Sequence, residues 1–385
     1  MHVPFLDLQA QYQSIKPEIY AAVSKVLESQ KFMLGEEVEK LEKNVSDYVG
    51  AKFGCGVSSG TDALLIALMN EGIGPGDEVI TTPLTFFATA GSIARTGATP
   101  VFADIDPETF NLDPDQVEEK ITHKTRAIIV VHLFGQMADM EAFERIAKKH
   151  HLVLIEDAAQ AIGSEDHGKR AGSTGDYGCF SFHPSKTLGA AGDAGMVVTS
   201  DPERDANLRI LRNHGAQPKY YHALVGGNFR LDAIQAAILN VKFTYLDQWI
   251  EDRSKCANRY EKMFKEEGPI GQEVVVSSTK TERHTFNNYV IRTQERDKLR
   301  SYLKELEVET QVYYPLALHL QKCFHHLGYS FGDFPISEQA SHEVIALPIY
   351  PELTENQQEF VVECITKFIK ISLIKQQGLA KPITV

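Results

Sequence analysis

Apolar side chains recur at helical spacing between residues 13 and 50, at Ile19, Val23, Val26 and Leu27 and again at Leu41, Val45 and Val49. That spacing stacks them on one face, so the stretch is predicted to be helical. From Phe53 the texture changes to short apolar runs separated by amphipathic segments. The runs are Phe53–Val57, Glu78–Thr82, Pro100–Asp104, Ala127–Leu133, Leu152–Asp157, Cys179–Phe182 and Gly195–Thr199. Strands apolar on both faces need cover on both sides, and the segments between them supply the helices. Turn chemistry punctuates the series: Gly74-Pro75-Gly76-Asp77 precedes the second run and Asp106-Pro107 follows the third. Residues 15–245 are therefore expected to form a large α/β domain. Beyond about residue 240 a long charged helix over Tyr245–Lys265 leads into a weaker mixed segment, with strands expected near Asn288–Arg292 and Glu309–Tyr313. Residues 246–385, together with residues 1–14, are read as a smaller α+β domain. The polar tail from Gln376 to Val385 is expected to be loosely ordered.

Composition narrows the functional classes. With 385 residues, 43% hydrophobic and 24% charged, the chain can build a large core. A net charge of −13 argues against nucleic acid as the main partner, because a phosphate backbone calls for a basic surface. The five cysteines lack CxxC spacing, which predicts reduced thiols with no disulfide framework and no metal site. No apolar run approaches the ~20 residues that span a bilayer, and the N-terminus lacks a signal-peptide pattern. A cytoplasmic location without membrane attachment is the expectation.

The chemistry concentrates in a few segments. Lys186 lies just past an apolar run in Cys179-Phe180-Ser181-Phe182-His183-Pro184-Ser185-Lys186-Thr187-Leu188-Gly189. Upstream, the run Leu152–Asp157 ends in the acidic pair Glu156-Asp157. A lysine amine forms a Schiff base with the aldehyde of pyridoxal phosphate, and an aspartate keeps the ring nitrogen protonated so that the ring accepts electrons. Gln160 is within reach of the ring hydroxyl. Ser58-Ser59-Gly60-Thr61-Asp62 opens a helical run over Ala63–Met69, where free N–H groups at Gly60 and Thr61 suit a phosphate; plain N-capping explains the same residues. Ser181 is placed to donate to that phosphate. Phe86 suits stacking on a pyridine ring, with Phe87 expected in the core, although both could be core residues. His183 lies near the site with its role open. Asn228 and Arg230 read equally well as anion contacts and as a helix-entry loop before Ala233–Leu239.

Taken in order, these segments resemble the DegT/DnrJ/EryC1/StrS family of aminotransferases. The resemblance runs through Pro4-Phe5-Leu6-Asp7-Leu8, Ser59-Gly60-Thr61-Asp62-Ala63-Leu64, Gly74-Pro75-Gly76-Asp77-Glu78-Val79 and Glu156-Asp157-Ala158-Ala159-Gln160. It continues through Ser181–Lys186, Gly227-Asn228-Phe229-Arg230-Leu231, Tyr314-Pro315 and His319-Leu320-Gln321. It implies an aspartate-aminotransferase-like fold (fold type I), with a mixed, mostly parallel seven-stranded sheet, and a homodimer with shared active sites. It implies Lys186 as the Schiff-base lysine, Asp157 at the ring nitrogen, Gln160 at the ring oxygen and Phe86 on the ring face. Gly60, Thr61 and Ser181 would bind the cofactor phosphate, joined by Asn228 of the second subunit. His183, Tyr313, Tyr314 and His319 are the substrate-side expectations. The substrates implied are L-glutamate and a nucleotide-linked keto sugar, in the service of lipopolysaccharide or other cell-surface glycans. Pro184, two positions before the lysine, resembles members that aminate C3, and Tyr220-Tyr221-His222 resembles enzymes of UDP-2-acetamido-3-keto sugars. Alternatives within the resemblance are a dTDP-3-keto-6-deoxyhexose or a 4-keto-sugar aminotransferase, a sugar dehydratase, and a non-catalytic sensor. Two departures stand out: Ala194 where many relatives carry glycine, and Tyr313 where many carry histidine.

Overall fold

A computed structural model describes residues 1–267, 275–276 and 279–376. The expected tail, apart from Gln376, lies outside the described residues. The N-terminal helical stretch is two helices, α1 (Leu8–Ser29) and α2 (Glu36–Val49), where the periodicity suggested one. Gln30 and Leu34 adopt left-handed backbone, and Gly35, with φ of 85°, is the N-cap of α2. A chain cannot carry those angles through a helix, so the apolar face restarts after a turn.

Strands and helices then alternate: β1 (Phe53–Val57), α3 (Gly60–Asn70), β2 (Glu78–Thr81), α4 (Ala88–Thr96), β3 (Thr99–Phe102), α5 (Pro114–Glu119), β4 (Thr125–Val131), α6 (Met140–His150) and β5 (Val153–Asp157). A short hairpin, β6 (Glu165–Asp166) with β7 (Lys169–Arg170), leads to β8 (Tyr177–Ser181), β9 (Gly195–Thr199), α7 (Pro202–Leu211) and α8 (Ala233–Phe243). Seven strands form one sheet in the order β1-β9-β8-β5-β4-β2-β3. All neighbours are parallel except β9, which runs antiparallel to β1 and β8. The aspartate-aminotransferase-like α/β fold expected from the sequence is thus present.

Side-chain alternation explains why the runs are apolar throughout. Ile80, Ile128, Val130, Leu154, Phe180, Met196 and Val198 pack into one core with α2, α6 and α8. Their neighbours Val79, Ala127, Ile129, Ile155, Cys179 and Val197 pack into a second core with α3 and α7. Each strand therefore feeds both faces.

The rest of the chain is α9 (Leu246–Glu267), β10 (Val275–Val276), β11 (Tyr289–Arg292), α10 (Arg296–Glu305), α11 (Pro335–Glu343), β12 (Val344–Leu347) and α12 (Glu355–Gln376). The antiparallel sheet β10-β11-β12 packs with α9, α10 and α12 around Tyr260, Tyr289, Leu299, Ile345 and Ile365, and Val3 joins this core. The strand expected over Glu309–Tyr313 does not form: Val308 bridges Val3 and Gln311 bridges Ala346, each as an isolated pair. The ladder beside β11 is taken by β12 instead. Among the described residues no helix is long and apolar enough to cross a membrane.

Candidate active site

Register builds the floor of the site. Val57 at the end of β1 and Ser181 at the end of β8 both pair with Gly195 at the start of β9, so three chain segments turn away from the sheet in one row. A Cβ on Gly195 would sit 2.4 Å from the Ser59 carbonyl, and one on Gly60 would sit 2.6 Å from Ser181 Cβ. The missing side chains let the turn after β1 settle against Ser181. Ser59 caps α3, accepting from Asp62 N–H at 3.0 Å, while Ser58 and Ser59 hydroxyls both donate to the Asp62 carboxylate. The capping expectation is therefore met. The amides of Gly60 and Thr61 make no hydrogen bond among the described residues, which leaves two donors at the positive end of α3.

Two adjacent carboxylates at the end of β5 face opposite ways. Glu156 is fully buried and accepts from Gly172, Thr174 and Gly175 N–H groups at 2.7–2.8 Å and from His132 Nε2 at 2.8 Å. His132 Nδ1 accepts from Ala138 N–H, so its proton is on Nε2. Burial pushes Glu156 up, but His132 and the backbone donors hold its carboxyl below the usual range. Glu156 is a clamp on the loop that feeds β8. Glu156→Ala strands four donors, two of them fully buried, and a loss of about 3–5 kcal/mol of stability is expected in chemical denaturation.

Asp157, one residue on, lines the cavity. Its carboxylate accepts from Thr89 Oγ1 at 2.8 Å and from Ala159 N–H at 3.2 Å. Burial raises its pKa, against the opposing pull of Thr89, Ala159 and the Lys186 charge. Lys186 sits on the loop between β8 and β9, held by Phe182 N–H on Ala194 O, Lys186 N–H on His183 O and Ala190 N–H on Phe182 O, each at 2.8 Å. Ala194 is accommodated in this turn with its side chain buried. Desolvation pulls the Lys186 amine down to about 8, although Asp157 pulls it the other way. An amine so placed is partly neutral near pH 7, which is what a nucleophile or proton carrier needs.

A cavity of about 610 Å³ collects Gly60, Thr61, Phe86, Asp157, Gln160, Ser181, His183, Lys186, Tyr313 and Tyr314. Gln160 is anchored by Phe134 N–H on Oε1 at 2.6 Å and donates to Tyr314 Oη at 3.3 Å. Phe86 is 59% exposed and its ring lies 6.2 Å from that of Tyr314. Phe87 is not in the core as expected; it remains 46% exposed and stacks on Phe324, because α4 begins immediately after it and turns it outward. His319 is also placed differently from expectation. It is fully buried against Glu338, 3.0 Å away, and does not line the cavity. Asn228 is exposed, its backbone paired with Asn213, and lies outside the cavity of its own chain.

The structure adds residues that sequence reasoning passed over. Thr89 reaches Asp157 from α4, and Asp193, Arg253, Asn287 and Asn288 line the cavity with Phe5 and Leu6. The polar pair Asn287-Asn288 immediately before an apolar run was the one visible signal among them.

The profile of the DegT/DnrJ/EryC1/StrS aminotransferase family matches residues 13–366. A pleiotropic regulatory protein of Geobacillus stearothermophilus is 53% identical over 371 residues, covering 96% of this chain and 99% of the relative. A UDP-N-acetyl-3-dehydro-α-D-glucosamine 3-aminotransferase of Acidithiobacillus ferrooxidans is 41% identical, covering 92% and 95% respectively. The crystal structure of NtdA from Bacillus subtilis with bound cofactor PMP superposes with a TM-score of 0.90 at 33% identity, covering 96% of this chain and 85% of that one.

Proposed function

The chain belongs to the DegT/DnrJ/EryC1/StrS aminotransferase family, and we propose that it moves the amino group of L-glutamate to C3 of a UDP-linked 2-acetamido-3-keto hexose, with pyridoxal phosphate as cofactor. The convergence of Lys186, Asp157 and the free Gly60 and Thr61 amides on one cavity carries this reading. The donor set suits the cofactor: an amine of lowered pKa, a buried carboxylate for a protonated ring nitrogen, and a glycine cradle that a Cβ would fill. When bound, the cofactor supplies the electron sink that makes a Cα–H bond acidic.

Each residue then has a task. Gly60, Thr61 and Ser181 hold the phosphate, with Asn228 reaching it from a second subunit of a homodimer. Its exposure outside its own cavity is what such a role requires. Asp157 would pair with the ring nitrogen, whose positive charge would favour the carboxylate against the upward push of burial, and Thr89 fixes the carboxylate's orientation. Gln160 is held by Phe134 to present its amide toward the ring oxygen, and Phe86 covers a ring face. The Lys186 amine, of lowered pKa, would hold the cofactor and, when free, would serve as the proton carrier beside it. His183, Tyr313 and Tyr314 border the space left for the sugar. The 3-keto assignment is supported by the name of the 41%-identical relative.

A second reading, a PLP-binding regulator without turnover, is favoured by the name of the 53%-identical relative. One titration separates them. Adding L-glutamate to the purified, cofactor-loaded protein is expected to bleach its visible band and release one 2-oxoglutarate per site. A band that persists unchanged leaves the regulator standing and overturns the aminotransferase. The amine form is then offered UDP- and dTDP-linked 3-keto and 4-keto sugars. Return of the band with the UDP-3-keto sugar alone is the expected result.

A further inference from the structure

Arg253, on α9, is 3% exposed and lines the same cavity as Lys186. Its Nη1 donates to the backbone carbonyls of Phe286 at 3.2 Å and Ile349 at 2.8 Å. Its Nε is buried with no partner, and Nη2 makes no hydrogen bond among the described residues. No carboxylate among those residues lies within ion-pair distance of it; Glu352, half-buried, acts on it only through space. Burial lowers its pKa to about 10, so the guanidinium stays charged at neutral pH. A buried cation is ordinarily paired, because an uncompensated one is costly.

The neighbouring wall is polar as well, and it includes one buried acceptor without a partner among the described residues, Asn287 Oδ1. Asn287 Nδ2 donates to Asn288 Oδ1 at 2.8 Å, which occupies the acceptor of Asn288 and leaves its Nδ2 without a partner among the described residues. Asn288 is 6% exposed and also lines the cavity. This wall is fastened to the cofactor end of the site: Asn288 N–H donates to Phe134 O, and Thr285 Oγ1 donates to the backbone carbonyl of Gln160. Arg253 Nη2 and Asn288 Nδ2 are therefore unused donors on two residues that line the cavity of Lys186, whereas Arg253 Nε is closed off in the protein interior.

We propose that Arg253 and Asn288 form a carboxylate-binding subsite that seats a carboxylate of the amino donor. The remaining guanidinium nitrogen, Nη2, and an amide N–H suit an oxyanion, whereas a neutral sugar hydroxyl would leave the charge uncompensated. The choice of amino donor as occupant rests on the aminotransferase reading above; the subsite as such does not.

The test uses the cofactor-loaded protein with glutarate, a dicarboxylate that has no amino group and so undergoes no chemistry. Calorimetric titration is run on wild type, Arg253→Lys and Asn288→Ala. Glutarate is expected to bind wild type and to bind each variant about ten-fold or more weakly, the cost of one charge-assisted hydrogen bond. The visible cofactor band should be unchanged in both. Asn288→Ala keeps every bond that Arg253 makes to the backbone, so it answers the question even if the Arg253 variant fails to fold. In the half-reactions, KM for L-glutamate should rise about ten-fold with kcat little changed, while KM for the keto sugar stays put. Equal glutarate binding by wild type and Asn288→Ala overturns the subsite. A rise confined to the keto-sugar half-reaction overturns the assignment to the amino donor. Glutarate binding that depends on Asn288 in a protein inert toward glutamate would sink the aminotransferase reading and leave the subsite intact.

Discussion

Lys186→Ala is expected to lower kcat/KM for amino transfer by on the order of 10⁴-fold or more, because the proposed roles of nucleophile and proton carrier fall on one amine. The loss should be accompanied by a protein that no longer retains the cofactor through denaturation, read by mass spectrometry of the unfolded, borohydride-treated chain. Wild type should show the added mass on the peptide that contains Lys186, and the variant on none. Added mass on another lysine of the variant would refute the assignment. The same amine sets a pH dependence. Its pKa is lowered from 10.5 to about 8, chiefly by desolvation. Only the neutral form attacks an aldehyde, so below about pH 8 the rate of cofactor capture by the apo-protein should rise about ten-fold per pH unit and flatten above it. A rate still climbing at pH 10 would mean an amine with an ordinary pKa.

Asp157→Asn is expected to reduce kcat by roughly 10²–10³-fold, the scale seen when one preorganised electrostatic partner is removed. The substitution is nearly isosteric, and its side-chain oxygen can still accept from Thr89. What disappears is the negative charge that would hold a ring nitrogen in its protonated form. Capture of the cofactor by Lys186 should persist, which separates this variant from Lys186→Ala. Thr89→Val supplies a graded comparison: it removes the 2.8 Å bond that orients the carboxylate and keeps its charge, so a smaller loss is expected. Asp157→Asn activity equal to wild type would show that the carboxylate is not the ring-nitrogen partner.

Much of this site was visible along the chain because its parts lie at strand ends. Asp157, Ser181 and the turn after Val57 each follow an apolar run, and parallel strands bring their carboxyl ends to one edge of the sheet. Phe87 and His319 show the limit. Residue type suggested a core position for Phe87 and the family resemblance a substrate contact for His319, but the start of α4 turns Phe87 outward, and His319 is buried against Glu338 on α11. The strand expected over Glu309–Tyr313 fails as well. β12 is an edge strand and Gln311 does pair with Ala346 on its outer side, but the pairing stops at that one bridge, so no strand is built.

Sequence alone determined the alternating α/β pattern, the acidic strand end, the glycine-rich turn and a lysine just past an apolar strand. All of these are local: periodicity, turn chemistry and small residues act within a few positions of one another. Tertiary structure decided what meets across distance. Thr89 orients Asp157 from 68 residues away, Arg253 reaches the cavity from α9, and Asn288 is fastened beside Gln160 through Phe134 and Thr285. It also decided the state of the amine, since a lysine in the sequence carries an ordinary pKa and only the packing around Lys186 removes the water that keeps it charged.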